Sequence, residues 1–162
     1  MGRPLDTARL GDHIDRLYRA ACALTGNRVA ADDLVQETYA RVLAKPRMIK
    51  GEDDVGYLVR TMRNVFLDER RKVVRRQTDP TEPETMERLE ASGAPGPQAR
   101  AEQRELLEFV SELPEDFRDV IVAVDVAGLS YKEASDALGV PEGTVMSRLY
   151  RARKRVVTAF AT

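Results

Sequence analysis

Tryptophan is absent, cysteine and histidine occur once each, and Phe and Tyr supply an aromatic content of only 6%. A single cysteine excludes an internal disulfide, and Cys22 with His13 cannot assemble a Cys/His zinc site. Cys22 reads as a small core residue, and His13 as a surface or helix-face residue. No apolar run is long enough to span a bilayer, and the N-terminus lacks the apolar stretch of a signal peptide. These absences lead to the expectation of a soluble, cytoplasmic chain with no membrane insertion. Scattered carboxylates show no positioned acid, base, nucleophile or metal cluster, so no enzyme, no cofactor, no metal and no small-molecule substrate is expected.

Net charge is also nearly missing, at −1 from 26 basic and 27 acidic residues, yet a third of the 162 residues are charged. The charges are segregated along the chain. Residues 60–76 hold seven Arg or Lys against Asp68 and Glu69, a basic excess. In residues 77–102 the sign reverses: Asp79, Glu82, Glu84, Glu87, Glu90 and Glu102 outnumber Arg88 and Arg100. A second basic segment follows near the C-terminus.

Hydrophobic spacing predicts helices and little else. Leu10, Ile14, Leu17, Tyr18, Ala21 and Leu24 repeat at helical intervals up to Gly26 and Asn27. Within 30–44, Leu34, Val35, Tyr39, Val42 and Leu43 share a face that stops before Pro46. After a polar loop, Val55, Leu58, Val59, Met62, Val65 and Phe66 form the longest stripe, on a helix expected to run to about Arg75. Residues 77–101 carry Pro80, Pro83, Pro95 and Pro97 with few apolar side chains, the composition of a flexible acidic linker; 84–91 could form a transient helix. Beyond it, Leu106, Phe109, Val110 and Leu113 begin a second module, broken at Pro114 and resumed by Phe117, Val120, Ile121 and Val124. Only 120–126 has any strand character, and its flanks favour helix.

The end of the chain reads as a helix-turn-helix. Ser130 followed by Glu133 makes a capping box, Gly128 and Gly139 stand where helices end, and Pro141 pre-sets a new start after a turn. In the second helix Val145, Leu149, Ala152 and Val156 form a buried stripe. Thr144, Ser147, Arg148, Arg151 and Lys154 lie on the other face, as hydroxyls and guanidinium groups suited to phosphates and base edges. A solvated basic helix is the plainer alternative. The fold class expected is all-α: two small helical domains, 1–76 and 102–162, joined by the flexible acidic linker 77–101, the C-terminal one containing the helix-turn-helix.

The order of several motifs resembles the extracytoplasmic-function sigma factors, the promoter-recognition subunits of bacterial RNA polymerase. Asp32, Asp33, Leu34, Val35, Gln36, Glu37, Thr38 and Tyr39 look like their polymerase-docking segment. Leu113, Pro114, Glu115, Asp116, Phe117 and Arg118, with 128–131 and 143–149, look like their C-terminal DNA-binding domain. The resemblance implies core RNA polymerase and promoter DNA as partners, with an anti-sigma factor in many relatives. It places polymerase contact at Asp32, Asp33, Leu34, Gln36 and Glu37, although Asp32 and Asp33 equally suit a solvated helix N-terminus and its dipole.

For the minus-ten element the resemblance implies Tyr57, Arg60, Arg63, Asn64, Arg70, Arg71 and Arg75. Asn64 matches a residue beside a pocket for a flipped base, the 48–54 loop frames that pocket, Tyr57 stands where tryptophan is common, and the arginines are mainly phosphate contacts. For the minus-thirty-five element it implies Thr144, Ser147, Arg148, Tyr150, Arg151 and Lys154, with Thr144 and Arg148 placed for backbone. Met146 departs from the Arg or Lys usual at its position. The acidic linker is expected near the polymerase cleft and RNA exit path, or else as a simple tether. The chain ends at Thr162, just past the last helix, so regulation is expected from outside. Two other readings stay open: a stand-alone helix-turn-helix regulator, and a sigma-like decoy for an anti-sigma factor. The basic helix around Asn64 argues against the first, and the basic recognition face against the second.

Overall fold

The computed structural model describes residues 2–44, 48–49, 54–76 and 97–161. A 3-10 turn, Thr7–His13, leads into α1 (Ile14–Thr25) and α2 (Arg28–Ala44). Then come α3 (Asp54–Arg76), α4 (Pro97–Glu112), α5 (Glu115–Val120), a π-helical segment (Ile121–Val126), α6 (Tyr131–Leu138) and α7 (Glu142–Phe160). The only strand pairing among the described residues joins β1 (Arg3–Pro4) to β2 (Met48–Ile49), antiparallel. Two residues on each side make a clip rather than a sheet, and the fold is all-α.

Local chemistry explains the helix ends. Gly26 takes φ +68° at the end of α1, the left-handed geometry that costs glycine nothing. The Asn27 side chain then accepts a hydrogen bond from the Ala30 amide at 3.0 Å, capping α2. The capping box of α6 is formed in both directions, Ser130 Oγ with the Glu133 amide at 3.1 Å and Glu133 Oε1 with the Ser130 amide at 3.0 Å. Pro97 opens α4, as suits a residue whose missing N–H is unneeded in a first turn. Helix therefore starts inside the stretch whose composition reads as linker. The 84–91 segment and most of the 48–54 loop lie outside the described residues.

In the N-terminal half, Leu17, Leu58, Met62, Val42, Val55 and Val65 are fully enclosed where α1, α2 and α3 meet. Burying such a side chain stabilises the fold by about 1.5–3 kcal/mol. In the C-terminal half, Val120, Val145 and Leu149 play the same part between α5 and α7. Three expected core residues face solvent instead, Ile14, Leu43 and Leu106; Ile14 and Leu43 sit at an end of their helices, where the stripe runs past the neighbouring element. The apolar run 120–126 widens into a π-turn, with the Ala127 amide reaching back five residues to the Val122 carbonyl at 2.8 Å.

The two halves touch. Helix α4 lies along α1, and α6 lies against α3. A Cβ added to Gly26 would collide with the Ser111 hydroxyl of α4, so glycine permits the close approach. A polar cleft of about 380 Å³ lies along this seam, lined by Asn27, Phe66, Arg70, Glu108, Ser111 and Glu112 among others.

Candidate nucleic-acid interface

Helix α3 sends the residues of interest to two faces. Tyr57, Arg60, Asn64, Arg71 and Arg75 follow one another at steps of three, four, seven and four, which keeps them on a single side of the helix. Arg60, Asn64, Arg71 and Arg75 are exposed, and Tyr57 is half-buried. Guanidinium groups flanking an exposed amide form a surface able to grip phosphates and read a base edge.

Arg63 and Arg70 point elsewhere. Arg63 Nε lies 2.7 Å from Asp119 Oδ2, and its Nη2 lies 3.5 Å from Glu115 Oε1, both on α5 in the other half of the molecule. Arg70 stacks over the Phe66 ring at 5.3 Å, while Arg118 of α5 stacks on the same ring at 4.8 Å. Of seven sequence-predicted minus-ten residues, the structure thus gathers five on one face and turns two into the seam.

Helix α7 presents its own polar stripe. Ser147, Tyr150, Arg151 and Lys154 are exposed, Tyr150 at 71%, and their i, i+3, i+4, i+7 spacing makes them contiguous. Beneath, Val145, Leu149 and Ala152 are buried and Val156 half-buried, which fixes the rotation of the helix. Thr144 is half-buried, and its carbonyl accepts a hydrogen bond from Ser147 Oγ at 3.2 Å. Arg148 lies 3.5 Å from Asp116 of α5, so it braces the helix as well as facing outward. Met146 is half-exposed, an uncharged spot beside the stripe.

Sequence reasoning missed two further braces. Arg153 donates from Nε and Nη2 to both oxygens of Asp125, at 3.0 and 2.6 Å, a bidentate pair that locks α7 to the π-segment. Arg155 stacks over Phe117 at 4.7 Å. A lone acid in the apolar run 120–126 was the available signal for the first.

On α2, Asp32, Asp33, Gln36 and Glu37 are exposed. Leu34 is not; at 6% exposure it packs in the core, on the apolar face of α2. The helix starts at Arg28, so Asp32 and Asp33 sit in the second turn, beyond the strongest field of the dipole. They are solvated carboxylates on the outer face of α2. Glu37 is 3.2 Å from Arg41, which also reaches Asp68 of α3 at 3.3 Å.

On α1, Tyr18 and Cys22 are half-buried against the core. Burial pushes the Tyr18 hydroxyl up to about 12. Burial likewise raises the Cys22 thiol. Both stay protonated, as packing groups do.

Comparison with known proteins supplies the family. Residues 10–76 match the model for Sigma-70 region 2, and residues 103–156 match that for Sigma-70, region 4. The ECF RNA polymerase sigma factor SigE of Mycolicibacterium smegmatis is 37% identical over 89% of this chain. The chain belongs to the ECF sigma factors. EcfG of Rhodopseudomonas palustris is 34% identical over 88% of the chain, and SigM of Bacillus subtilis 28% over 89%. The aligned stretch spans 57% of SigE, 78% of EcfG and 88% of SigM. Among solved structures, the sigma factor RpoE in complex with the anti-sigma factor NepR from Bartonella quintana superposes with a TM-score of 0.72, at 25% identity and covering 93% of both chains. CnrH in complex with the cytosolic domain of CnrY shares the fold, with a TM-score of 0.67 at 23% identity, covering 94% of this chain and 84% of that one. Among the described residues, no helix is long and apolar enough to cross a membrane.

Proposed function

We propose that this chain is a cytoplasmic transcription initiation factor that binds core RNA polymerase and directs it to promoters with two separated elements. The α3 stripe of Tyr57, Arg60, Asn64, Arg71 and Arg75 reads and opens the minus-ten element. The α7 stripe of Ser147, Tyr150, Arg151 and Lys154 reads the minus-thirty-five element, with Thr144 and Arg148 toward the backbone. Asp32, Asp33, Gln36 and Glu37 on α2 carry the polymerase contact. The chemistry belongs to polymerase, and the chain itself supplies binding and strand separation only.

The observation that carries this reading is the pair of exposed polar stripes on α3 and α7 of one chain. A stand-alone regulator needs only the second, and a decoy needs neither. Phosphate contacts supply affinity, whereas the amide of Asn64 and the side chains of Tyr150 and Arg151 supply selection. An anti-sigma factor is the proposed negative partner, supported by the similarity to RpoE solved with NepR.

The test adds the purified chain to core polymerase on a promoter library and scores open complexes. Initiation confined to a subset of promoters supports the reading. DNA binding without any effect on polymerase would favour a stand-alone regulator, and neither activity would favour the decoy.

A further inference from the structure

The N-terminal arm meets the stripe on α3 where the helix begins. Helix α3 starts at Asp54, and the step of three from Asp54 to Tyr57 puts both on the side that carries Arg60, Asn64, Arg71 and Arg75. A carboxylate in a first turn suits the helix dipole, which accounts for its charge but not for its burial. Asp54 is 6% exposed, and its Oδ1 accepts a hydrogen bond from Arg3 Nη2 at 2.5 Å, from a residue 51 positions earlier in the chain. A charged group leaves water only where a partner compensates it. Here the partner comes from the arm.

The same arm pairs with the chain that leads into α3. Arg3 stands opposite Ile49 and Pro4 opposite Met48, in antiparallel register. A ladder this short does not persist by itself, and Leu5 supplies its anchor by entering the core at 7% exposure. Arg3 thus holds two places at once, its backbone at Ile49 and its guanidinium at Asp54. The distance between them is set by one side chain. That side chain keeps 36% of its surface in solvent, at the N-terminal end of the α3 stripe.

We propose that Arg3 is a positioning residue for minus-ten selection, its pair with Asp54 and the β1 clip holding the Met48–Ile49 backbone in register against the start of α3. The arm is then part of the surface that chooses the base, although it lies some fifty residues before that surface in sequence. A recognition surface loses selectivity when its supporting groups let it shift by about 1 Å. Phosphate grip comes from Arg60, Arg71 and Arg75 farther along the helix and does not depend on the arm. Arg3 therefore governs selection and leaves overall attraction alone. This deepens the promoter-factor reading and rests on it for the DNA step only.

The test uses the full chain, free and bound to core polymerase, with Arg3→Ala, Arg3→Lys, Asp54→Asn and Leu5→Ala. Amide hydrogen exchange of the free chain should quicken at residues 48–49 and in the first turn of α3 for Arg3→Ala and Leu5→Ala. With polymerase, forked minus-ten oligonucleotides bearing each base at each position give a discrimination ratio. Arg3→Ala should lower that ratio several-fold with the salt slope unchanged, and Arg3→Lys should restore most of it. Asp54→Asn should match Arg3→Ala, and the two together should lose no more than either alone, as partners in one interaction do. Should Leu5→Ala fail to fold, Arg3→Ala decides. A folded Arg3→Ala chain with quickened exchange and an unchanged ratio overturns the positioning role, as do additive losses in the double variant. A salt slope lower by about 0.7–0.9 makes Arg3 a phosphate contact instead, and unchanged exchange overturns the clip. A parent chain without preference at any minus-ten base would sink the promoter reading, leaving exchange to judge the clip by itself.

Discussion

Arg63 of α3 and Asp119 of α5 stand 56 residues apart in the chain and 2.7 Å apart in space. Asp119 also closes the pair with Arg118, which is almost wholly enclosed. Asp119→Ala leaves a buried guanidinium without its carboxylate, and the expected loss of stability is about 3–5 kcal/mol. Glu115→Ala removes only a half-exposed partner and should cost less than about 1 kcal/mol. Urea unfolding of the two variants checks the contrast; equal losses would contradict the assignment of Asp119 as the buried partner.

On the exposed face of α3, charge and recognition should separate. Arg60→Ala and Arg71→Ala are expected to weaken forked-promoter binding by the holoenzyme at every sequence, each lowering the salt slope by about 0.7–0.9. Asn64→Ala should keep the slope and lose preference among minus-ten bases. A salt titration against two promoter sequences distinguishes these outcomes.

Helix α7 makes a gain-of-function prediction. Met146 is half-exposed beside the stripe, so Met146→Arg adds a cation to the DNA-facing surface. Affinity for minus-thirty-five DNA should rise and its salt slope should steepen by about 0.9. Tyr150→Ala or Arg151→Ala should cost about 1–3 kcal/mol of discrimination at the base each contacts. Competition binding with single-base variants of the element measures both.

The Cys22 thiol is raised by burial, and the sign of the linkage follows. Its contribution is fully present below the unfolded-state value and is lost as pH climbs through the higher folded value. Stability should therefore decline above about pH 9, near the ordinary thiol range. Alkylation at pH 8 should be slower than for a free thiol and should accelerate in denaturant. Labelling of the folded chain as fast as a free thiol would contradict the half-buried placement.

Much of this molecule was legible in order of residues. Ser130 with Glu133, the glycines at 26 and 139, and the stripe from Val145 to Val156 each rest on contacts within four residues, which spacing alone encodes. The exposed faces of α3 and α7 follow from the same periodicity. Ile14, Leu43 and Leu106 were misplaced because periodicity says which side a residue takes, not whether a neighbour is there to cover it. Pro97 opens a helix in a stretch whose composition suits a linker, since proline serves both. Leu34 fills the core, on the apolar face that its spacing with Val35, Tyr39 and Val42 predicted. The π-turn at 121–126 and the recruitment of Arg63 by Asp119 depend on packing between distant segments, and no local pattern announces either.

The most direct test of the account is a footprint of core polymerase with this chain on a promoter it selects. Protection is predicted at both elements, with strand opening at the upstream edge of the bubble. Asn64→Ala should abolish opening while upstream protection persists, and Tyr150→Ala with Arg151→Ala should do the reverse on a promoter with a strong minus-ten element. Protection of one element alone, or opening indifferent to Asn64, would contradict a chain that reads its promoter at two points.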